Sequence, residues 1–304
     1  MNTSEKITRR VAVVTDSNSG ITQRQGEACG IRVIPMPFMI DGKVWEEDVD
    51  LTHDIFYEKL VNGSEISTSQ PAPAEILQLW DELLEEYDEI VHIPMSSSLS
   101  GSYQTAMMLA GDYDGKIRVV NNQRISVTQR RSALDAAMLA ARGFSARRIG
   151  DLLERTKMES SIYITVDTLK YLKRGGRVTP AAAALGTLLK IKPVLQIQGG
   201  KLDTYSKART MKQAKSIMLS AIAHDLQNRF LDPEAGQTWL AVAHSDCEDL
   251  ARELAQELKE CYPKAPPVYI DALSLSVSCH IGPGGLGVTC TKRIDMEAES
   301  HEEY

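Results

Sequence analysis

Apolar positions along this chain recur on two different periods. Short β-branched runs that end in polar or glycine-containing turns are interleaved with longer stretches whose apolar residues fall at helical spacing. The first run, 11–15 (VAVVT), ends in Asp16-Ser17-Asn18-Ser19-Gly20. Residues 31–40 (IRVIPMPFMI) read as extended, and Pro35 and Pro37 confine them to an edge or an irregular segment. Residues 73–87 place apolar side chains at 76, 77, 79, 80, 83, 84 and 87, a helical stripe with Pro73 in its first turn. A strand at 89–94 then leads through a serine-rich loop into a helix with Tyr103, Ala106, Met107 and Ala110 on one face. Ser100 is its expected N-cap. A strand at 117–120 and a helix at about 126–142 follow. Strands alternating with helices in this way predict a parallel, doubly wound sheet.

The second half has a different rhythm. Residues 161–166 (SIYITV) and 193–198 (PVLQIQ) read as strands, and Gly199-Gly200 turns the latter into 201–206 (KLDTYS), a hairpin signal. Helices near 211–229 and 246–261 flank a strand at 239–243, and strands at 268–271 and 286–291 close the pattern. A hairpin combined with crossovers predicts a mixed sheet. The chain is therefore expected to be α/β with two domains: residues 1–158 carry a parallel-sheet α/β/α domain and residues 159–304 an α/β domain with a mixed sheet. The polar Met158-Glu159 stretch marks the break. There is no internal repeat and no low-complexity tract.

Composition removes several function classes. A length of 304 residues suits two cores better than one, and 43% hydrophobic with 25% charged residues is ordinary for a globular protein. A net charge of −7 argues against nucleic acid, whose phosphates call for clustered Lys and Arg. The cysteines at 29, 247, 261, 279 and 290 contain no C-x-x-C pair and read as free thiols of a reducing compartment. Arg9-Arg10 is followed by only a short apolar run before Thr15-Asp16-Ser17, so no export signal is expected. No run is apolar enough to span a bilayer, and the expected location is cytoplasmic.

Familiar chemical motifs fail on context. Gly282-Pro283-Gly284-Gly285-Leu286-Gly287 matches G-x-G-x-x-G, but a strand-like Val288-Thr289-Cys290 follows where a dinucleotide site needs a helix. It reads as a glycine-rich turn. Gly42-Lys43, Gly115-Lys116 and Gly200-Lys201 lack the rest of a phosphate-binding loop. Serines at 96, 97, 98, 100 and 102 crowd a strand-to-helix turn, yet no G-x-S-x-G nucleophile elbow occurs. His244 near Asp246 reads as a strand-end pair, and His and Cys never reach zinc spacing, so no metal or cofactor is expected.

The stretch ISTSQPAPAEI at 66–76 places Thr68, Ser69 and Gln70 just before a stiff Pro71/Pro73 entry into a helix. Such a loop can aim its donors at a ligand or only at the helix N-terminus. Two further polar or glycine-rich elements accompany it: SSSLSGSYQ at 96–104 and LKRGGRV at 172–178. With Val14-Thr15-Asp16-Ser17, LGTLLKIKPVL at 185–195, GGKLDTYSKART at 199–210 and HIGPGGLG at 280–287, the chain resembles the DegV family of bacterial fatty-acid-binding proteins over nearly its full length.

The resemblance implies two α/β domains with one long acyl chain in an apolar tunnel between them. It implies a non-enzymatic carrier that presents the fatty-acid carboxylate to a separate, ATP-dependent fatty-acid kinase, with at most transient contact to a membrane surface. For a 16-carbon acid such as palmitate, about 0.8 kcal/mol per buried CH₂ gives on the order of 10 kcal/mol before ordering costs. The family pattern puts Thr68 and Ser97 on the carboxylate, with Arg209 and His280 near the head group. Ser69, Ser96 and Asp16 are further candidates, although Asp16 stands at a strand end where it could instead accept loop N–H groups. Arg174 and Arg177 are expected outside the tunnel, as a docking point for the kinase.

The chain departs from the family pattern after the 117–120 strand. Asn121-Asn122 stands where Asp-Ser is usual, and Thr128-Gln129-Arg130-Arg131 where small or apolar residues are usual. Those arginines either point outward or reshape the tunnel. Ala72 replaces a frequent Ser between the prolines. Two other readings stay open: a hydrolase or acyltransferase using Ser97 or Ser100 with His280, and a pocket for another carboxylate metabolite lined by Arg130 and Arg131.

Overall fold

The computed structural model describes residues 10–295 except 48 and 186–190. The 186–190 part of the 185–195 motif and Arg9 thus lie outside the described residues. The first β-branched run becomes β1 (Val11–Asp16), followed by α1 (Gln23–Cys29) and β2 (Ile31–Ile34). β3 (Pro37–Ile40), β4 (Lys43–Glu46), α2 (His53–Val61) and β5 (Ile66–Thr68) come next. Then follow α3 (Pro73–Leu84), β6 (Glu89–Ile93), α4 (Ser102–Ala110) and β7 (Ile117–Val119). α5 (Ser126–Ala141) and α6 (Ala146–Arg155) complete this half.

The sheet order is β2-β1-β6-β7, with every pair parallel. Because side chains alternate along a strand, Val11 and Val13 join the core under α5 and α6, with Leu139, Ile149 and Leu153. Ala12 and Val14 join the core on the other face, with Trp80 of α3 and Ala106 of α4. The doubly wound expectation holds here.

The stretch 31–40 is not one extended segment. β2 stays in the parallel sheet, whereas β3 leaves it to pair antiparallel with β4 and β5 in a sheet of its own. Pro35 and Pro37 supply no N–H to a ladder, and the chain changes sheets where they stand. Helix α4 also starts later than expected. Gly101 occupies its N-cap, and the Ser100 hydroxyl instead accepts from the Ser102 N–H at 3.2 Å.

The remaining elements are β8 (Ser160–Thr165), α7 (Lys170–Gly175), α8 (Pro180–Ala184), β9 (Lys192–Ile197) and β10 (Asp203–Ala208). α9 (Met211–Asn228), β11 (Thr238–Ser245), α10 (Glu248–Cys261), β12 (Tyr269–Ala272), α11 (Leu275–Ile281) and β13 (Gly285–Lys292) follow. They form a six-stranded mixed sheet, β10-β9-β8-β13-β11-β12. β11 and β12 are parallel, and the other pairs are antiparallel. The hairpin read around Gly199-Gly200 is β9/β10, with its second strand beginning at Asp203.

The two faces of this sheet have different fates. Tyr163, Val194, Leu240, Val242 and Val288 pack beneath α9 and α10. Ile162, Ile164, Leu195, Ile197, Ala241 and Ala243 face the other way, into a core shared with Met95, Leu99, Ile125 and Val127 of the first half. α5 and α11 cross between the halves. Arg130 donates to Gly20 O and Gln25 Oε1 and lies 4.5 Å over the Tyr269 ring, while Arg131 pairs with Asp135 and lies 4.6 Å over Trp239. Both departing arginines therefore tie the halves together rather than entering a tunnel.

Trp80 is fully buried, with His92 and Tyr113 edge-on at 5.5 Å. Trp80→Ala is expected to cost about 3–5 kcal/mol in urea denaturation. Met107→Ala on neighbouring α4, at a 42% exposed position, should stay within about 0.5 kcal/mol.

Candidate ligand cavity

The face of the six-stranded sheet turned toward the first half is built of cross-strand rows. Ile197, Ile162 and Thr289 lie side by side on β9, β8 and β13, and Ile164, Gly287 and Ala243 lie side by side on β8, β13 and β11. The second row is low because Gly287 has no side chain and Ala243 only a methyl. Above it stand Met95, Leu99 and Ile125 from the loops at the ends of β6 and β7, and Leu273, Val277 and Ile281 from around α11. The result is a mostly apolar cavity of about 1030 Å³, counting the part open to solvent.

Three polar residues are shared with a neighbouring recess. Thr68, Arg177 and His280 border the apolar cavity and also border a second, more polar recess of about 740 Å³, lined further by Glu65, Ser67, Arg174 and Gly175. These three side chains form a septum between an inner apolar space and an outer vestibule. Thr68 Oγ1 lies 3.2 Å from His280 Nε2.

Each septum residue is held by local structure. Thr68 ends β5, in register with Phe38 of β3, and the following Ser69 N–H donates to Pro37 O at 3.2 Å. Gln70 Nε2 donates to Thr105 Oγ1 at 2.9 Å, which fixes the loop before Pro71. His280 sits in the last turn of α11. The N-terminus of that helix is anchored by buried Glu47, which accepts from the Leu275 N–H and the Ser17 hydroxyl. Glycines then let α7 approach. A Cβ on Gly175 would stand 2.1 Å from His280 Nδ1, and one on Gly282 would stand 2.2 Å from the Tyr171 ring at a φ of +79°. The RGGR and HIGPGG motifs are thus two halves of one contact, each lacking side chains where the other needs space.

Arg177 donates to Leu99 O at 3.4 Å and to Gly175 O, so its charge is fixed at the mouth. Burial first, and nearby Arg177 second, push the His280 pKa down to about 4. His280 is neutral at pH 7.

The structure sorts the expected site residues unevenly. Thr68, Ser69 and His280 border the cavity. Arg177, expected outside, borders it too. Arg174 remains exposed and donates to Ile66 O at 3.2 Å. Arg209 is not brought to the cavity. It is exposed just ahead of α9, the helix that covers the opposite face of the sheet. Ser97 is half-buried in the serine loop, which borders the cavity through Met95, Leu99, Ser100 and Gly101. Ser96 is buried and accepts from the Ser98 N–H, shaping the turn.

Asp16 is likewise buried and accepts from Met95 N, Asn18 N, Asn18 Nδ2 and Gln129 Nε2 at 2.8–3.1 Å. It ties loops together, and burial raises its pKa against these hydrogen bonds. His244 accepts from the Cys247 N–H instead of pairing with Asp246. The sequence reading missed Arg177 and Ser126 as cavity residues. For Arg177 the signal was present in RGGR, because glycines flanking a cation mark close approach as well as a loop.

Two α/β halves thus enclose a mostly apolar cavity that shares Thr68, Arg177 and His280 with a more polar recess. The matching family model, described as "Uncharacterised protein, DegV family", spans residues 10–293, and the chain belongs to this family. A DegV domain-containing protein of Deinococcus radiodurans is 33% identical over 91% of this chain and 97% of its own length. Among solved structures, a fatty-acid-binding DegV family protein from Thermus thermophilus superposes with a TM-score of 0.85 at 30% identity, covering 93% of this chain and 99% of its own. DegV from Bacillus subtilis, described as a fatty acid binding protein, gives 0.82 at 31%, covering 93% and 100%.

The depressed His280 pKa has a defined consequence for stability. The unfolded chain takes up a proton below about pH 6.5, whereas the folded site resists until about pH 4. The His280 contribution is therefore intact above pH 6.5 and lost as pH falls toward 4. Subtracting the unfolding free energy of His280→Gln from that of the native protein should leave a difference that falls by about 1.4 kcal/mol per pH unit across this window. The difference should be flat above it. Buried His92, shifted to about 3, is common to both proteins and cancels.

Proposed function

We propose that the protein carries a long-chain fatty acid, with the tail in the apolar cavity and the carboxylate at the septum. The observation that carries this reading is that Thr68, Arg177 and His280 belong to both the apolar cavity and the polar vestibule. An amphipath with one polar end fits that division. The Thr68 hydroxyl and the neutral His280 imidazole each have one proton to donate. Arg177, already bonded to backbone carbonyls, supplies positive charge without closing around the carboxylate. The tail contributes most of the affinity, about 0.8 kcal/mol per CH₂. A 16-carbon acid such as palmitate is within the intended range. The fatty-acid-binding relatives from Thermus thermophilus and Bacillus subtilis support the same ligand class.

The vestibule gives the reading its second half. A carboxylate at the septum faces outward, where a separate ATP-using kinase can reach it. Attack of a carboxylate oxygen on the γ-phosphorus forms the acyl phosphate, and ADP leaves. Exposed Arg174 at the vestibule is the docking residue in this proposal, and the cytoplasm, where ATP is present, is the compartment.

The hydrolase reading is disfavoured by geometry. Ser100 Oγ pairs with Ser102 Oγ at 2.8 Å, and His280 Nε2 faces Thr68. The reading with Arg130 and Arg131 around another carboxylate is disfavoured because both are committed to contacts outside the cavity.

Organic extraction of the purified protein should release a long-chain fatty acid, identified by mass spectrometry. In direct titration, Thr68→Val and Arg177→Ala should each weaken binding by about 1–3 kcal/mol. Arg209→Ala should leave it unchanged. Arg174→Ala should bind the acid normally while slowing kinase-dependent acyl-phosphate formation. Loss of binding in Arg209→Ala but not in Arg177→Ala would overturn this assignment of the mouth.

A further inference from the structure

The cavity holds a further polar position, outside the set of groups assigned to the carboxylate. Ser126 is the first residue of α5 and borders the cavity with Ile125. The residue is buried, with a relative exposure of 6%. Its hydroxyl has no hydrogen-bond partner, which is a costly state for a buried donor. Its backbone is costly too. Ser126 has a φ of +54°, in the left-handed region where a side chain other than that of glycine, Asn or Asp is uncommon.

The helix start itself is also incomplete. Ile125 fills the N-cap, and no side chain there accepts from the first-turn N–H groups. Thr128 turns its hydroxyl back to Ile125, donating to its carbonyl at 2.7 Å. Strain, an unpaired hydroxyl and an uncapped sixteen-residue helix coincide at one point of the cavity wall, whereas Asn18 and Ser276 on that wall are bonded to each other. The positive end of a helix favours an oxygen that carries partial negative charge.

From this coincidence we infer that Ser126 and the N-terminus of α5 form a second polar anchor in the cavity, one that receives an oxygen substituent on the acyl chain. The ligand class this selects is a hydroxylated long-chain fatty acid, held at both its carboxylate and its chain hydroxyl. The chain oxygen accepts from the Ser126 hydroxyl or a first-turn N–H. This inference rests on the fatty-acid reading and narrows it.

The test is a titration of the full chain with stearate and with C18 acids hydroxylated at different carbons from the carboxyl end to the terminal methyl. At least one hydroxylated isomer should bind about tenfold tighter than stearate, the gain of one well-placed hydrogen bond in a dry site. Ser126→Ala should reduce that advantage, read as the ratio of the two affinities in the same protein, to less than about twofold. Ser126→Gly, which relieves the positive φ, should do the same in a protein at least as stable as the native one. If stearate matches every hydroxylated isomer, the anchor does not exist. If Ser126→Ala and Ser126→Gly weaken stearate as much as the hydroxylated acids, Ser126 serves the carboxylate and the inference is wrong. Failure of every C18 acid to bind would instead overturn the fatty-acid reading beneath it.

Discussion

The contact between Thr68 and His280 joins the last residue of an edge strand to the last turn of a short helix, across 212 positions of sequence. For the two to meet at 3.2 Å, the small sheet must present the end of β5 while α11 is held against α7. Neither condition is local. The first depends on the chain changing sheets at Pro35 and Pro37. The second depends on Gly175 and Gly282, because a methyl group at either position would occupy space already filled by His280 or Tyr171. Glu47 completes the arrangement by joining Ser17 to the start of α11 through a buried carboxylate. Much of the structure around the cavity mouth can be understood as the set of exclusions and anchors that keep this one pair in place.

That pair also explains how apolar and polar duties coexist in one cavity. A carboxylate buried without partners costs several kcal/mol, so an acyl tail alone cannot draw its head group inside. At the septum the head group needs to be only partly desolvated, because the vestibule lies on its other side. A neutral histidine suits this position better than a charged one. An imidazolium paired with a carboxylate would hold it more firmly and make its oxygens weaker nucleophiles. Burial and Arg177 both keep His280 neutral, and Arg177 is itself committed to the carbonyls of Leu99 and Gly175.

Sequence pattern revealed the layers and most elements, because β-branched runs and helical stripes report burial directly. It was weaker wherever a residue's role depends on what approaches from the other half. Arg209 and Arg177 are alike as letters, both in polar, loop-like contexts. They are separated by what their segments meet: Arg177 borders the cavity, whereas Arg209 is exposed ahead of α9, the helix packed on the opposite face of the sheet. Helix α11 was invisible to periodicity at seven residues, although its His280 stood out through the motif around it. Ser126 left no local signal at all. Its interest comes from a positive φ and an unpaired hydroxyl, and neither is written in the identity of a serine.

The departures in α5 show how a family framework can be altered without disturbing its mouth. Helix α5 crosses both halves, so its residues divide by direction. Gln129 reaches inward to Thr15, Asp16 and Ile93, holding the loop cluster at the end of β1. Arg130 and Arg131 reach across to Tyr269 and Trp239 of the six-stranded sheet. Only the first turn, at Ile125 and Ser126, touches the cavity. A change in the middle of α5 therefore acts on how firmly the halves are joined. A change at its first turn acts on the chemistry of the cavity wall. The unusual arginines and the strained serine lie within six residues of each other on one helix, yet they answer to separate physical demands.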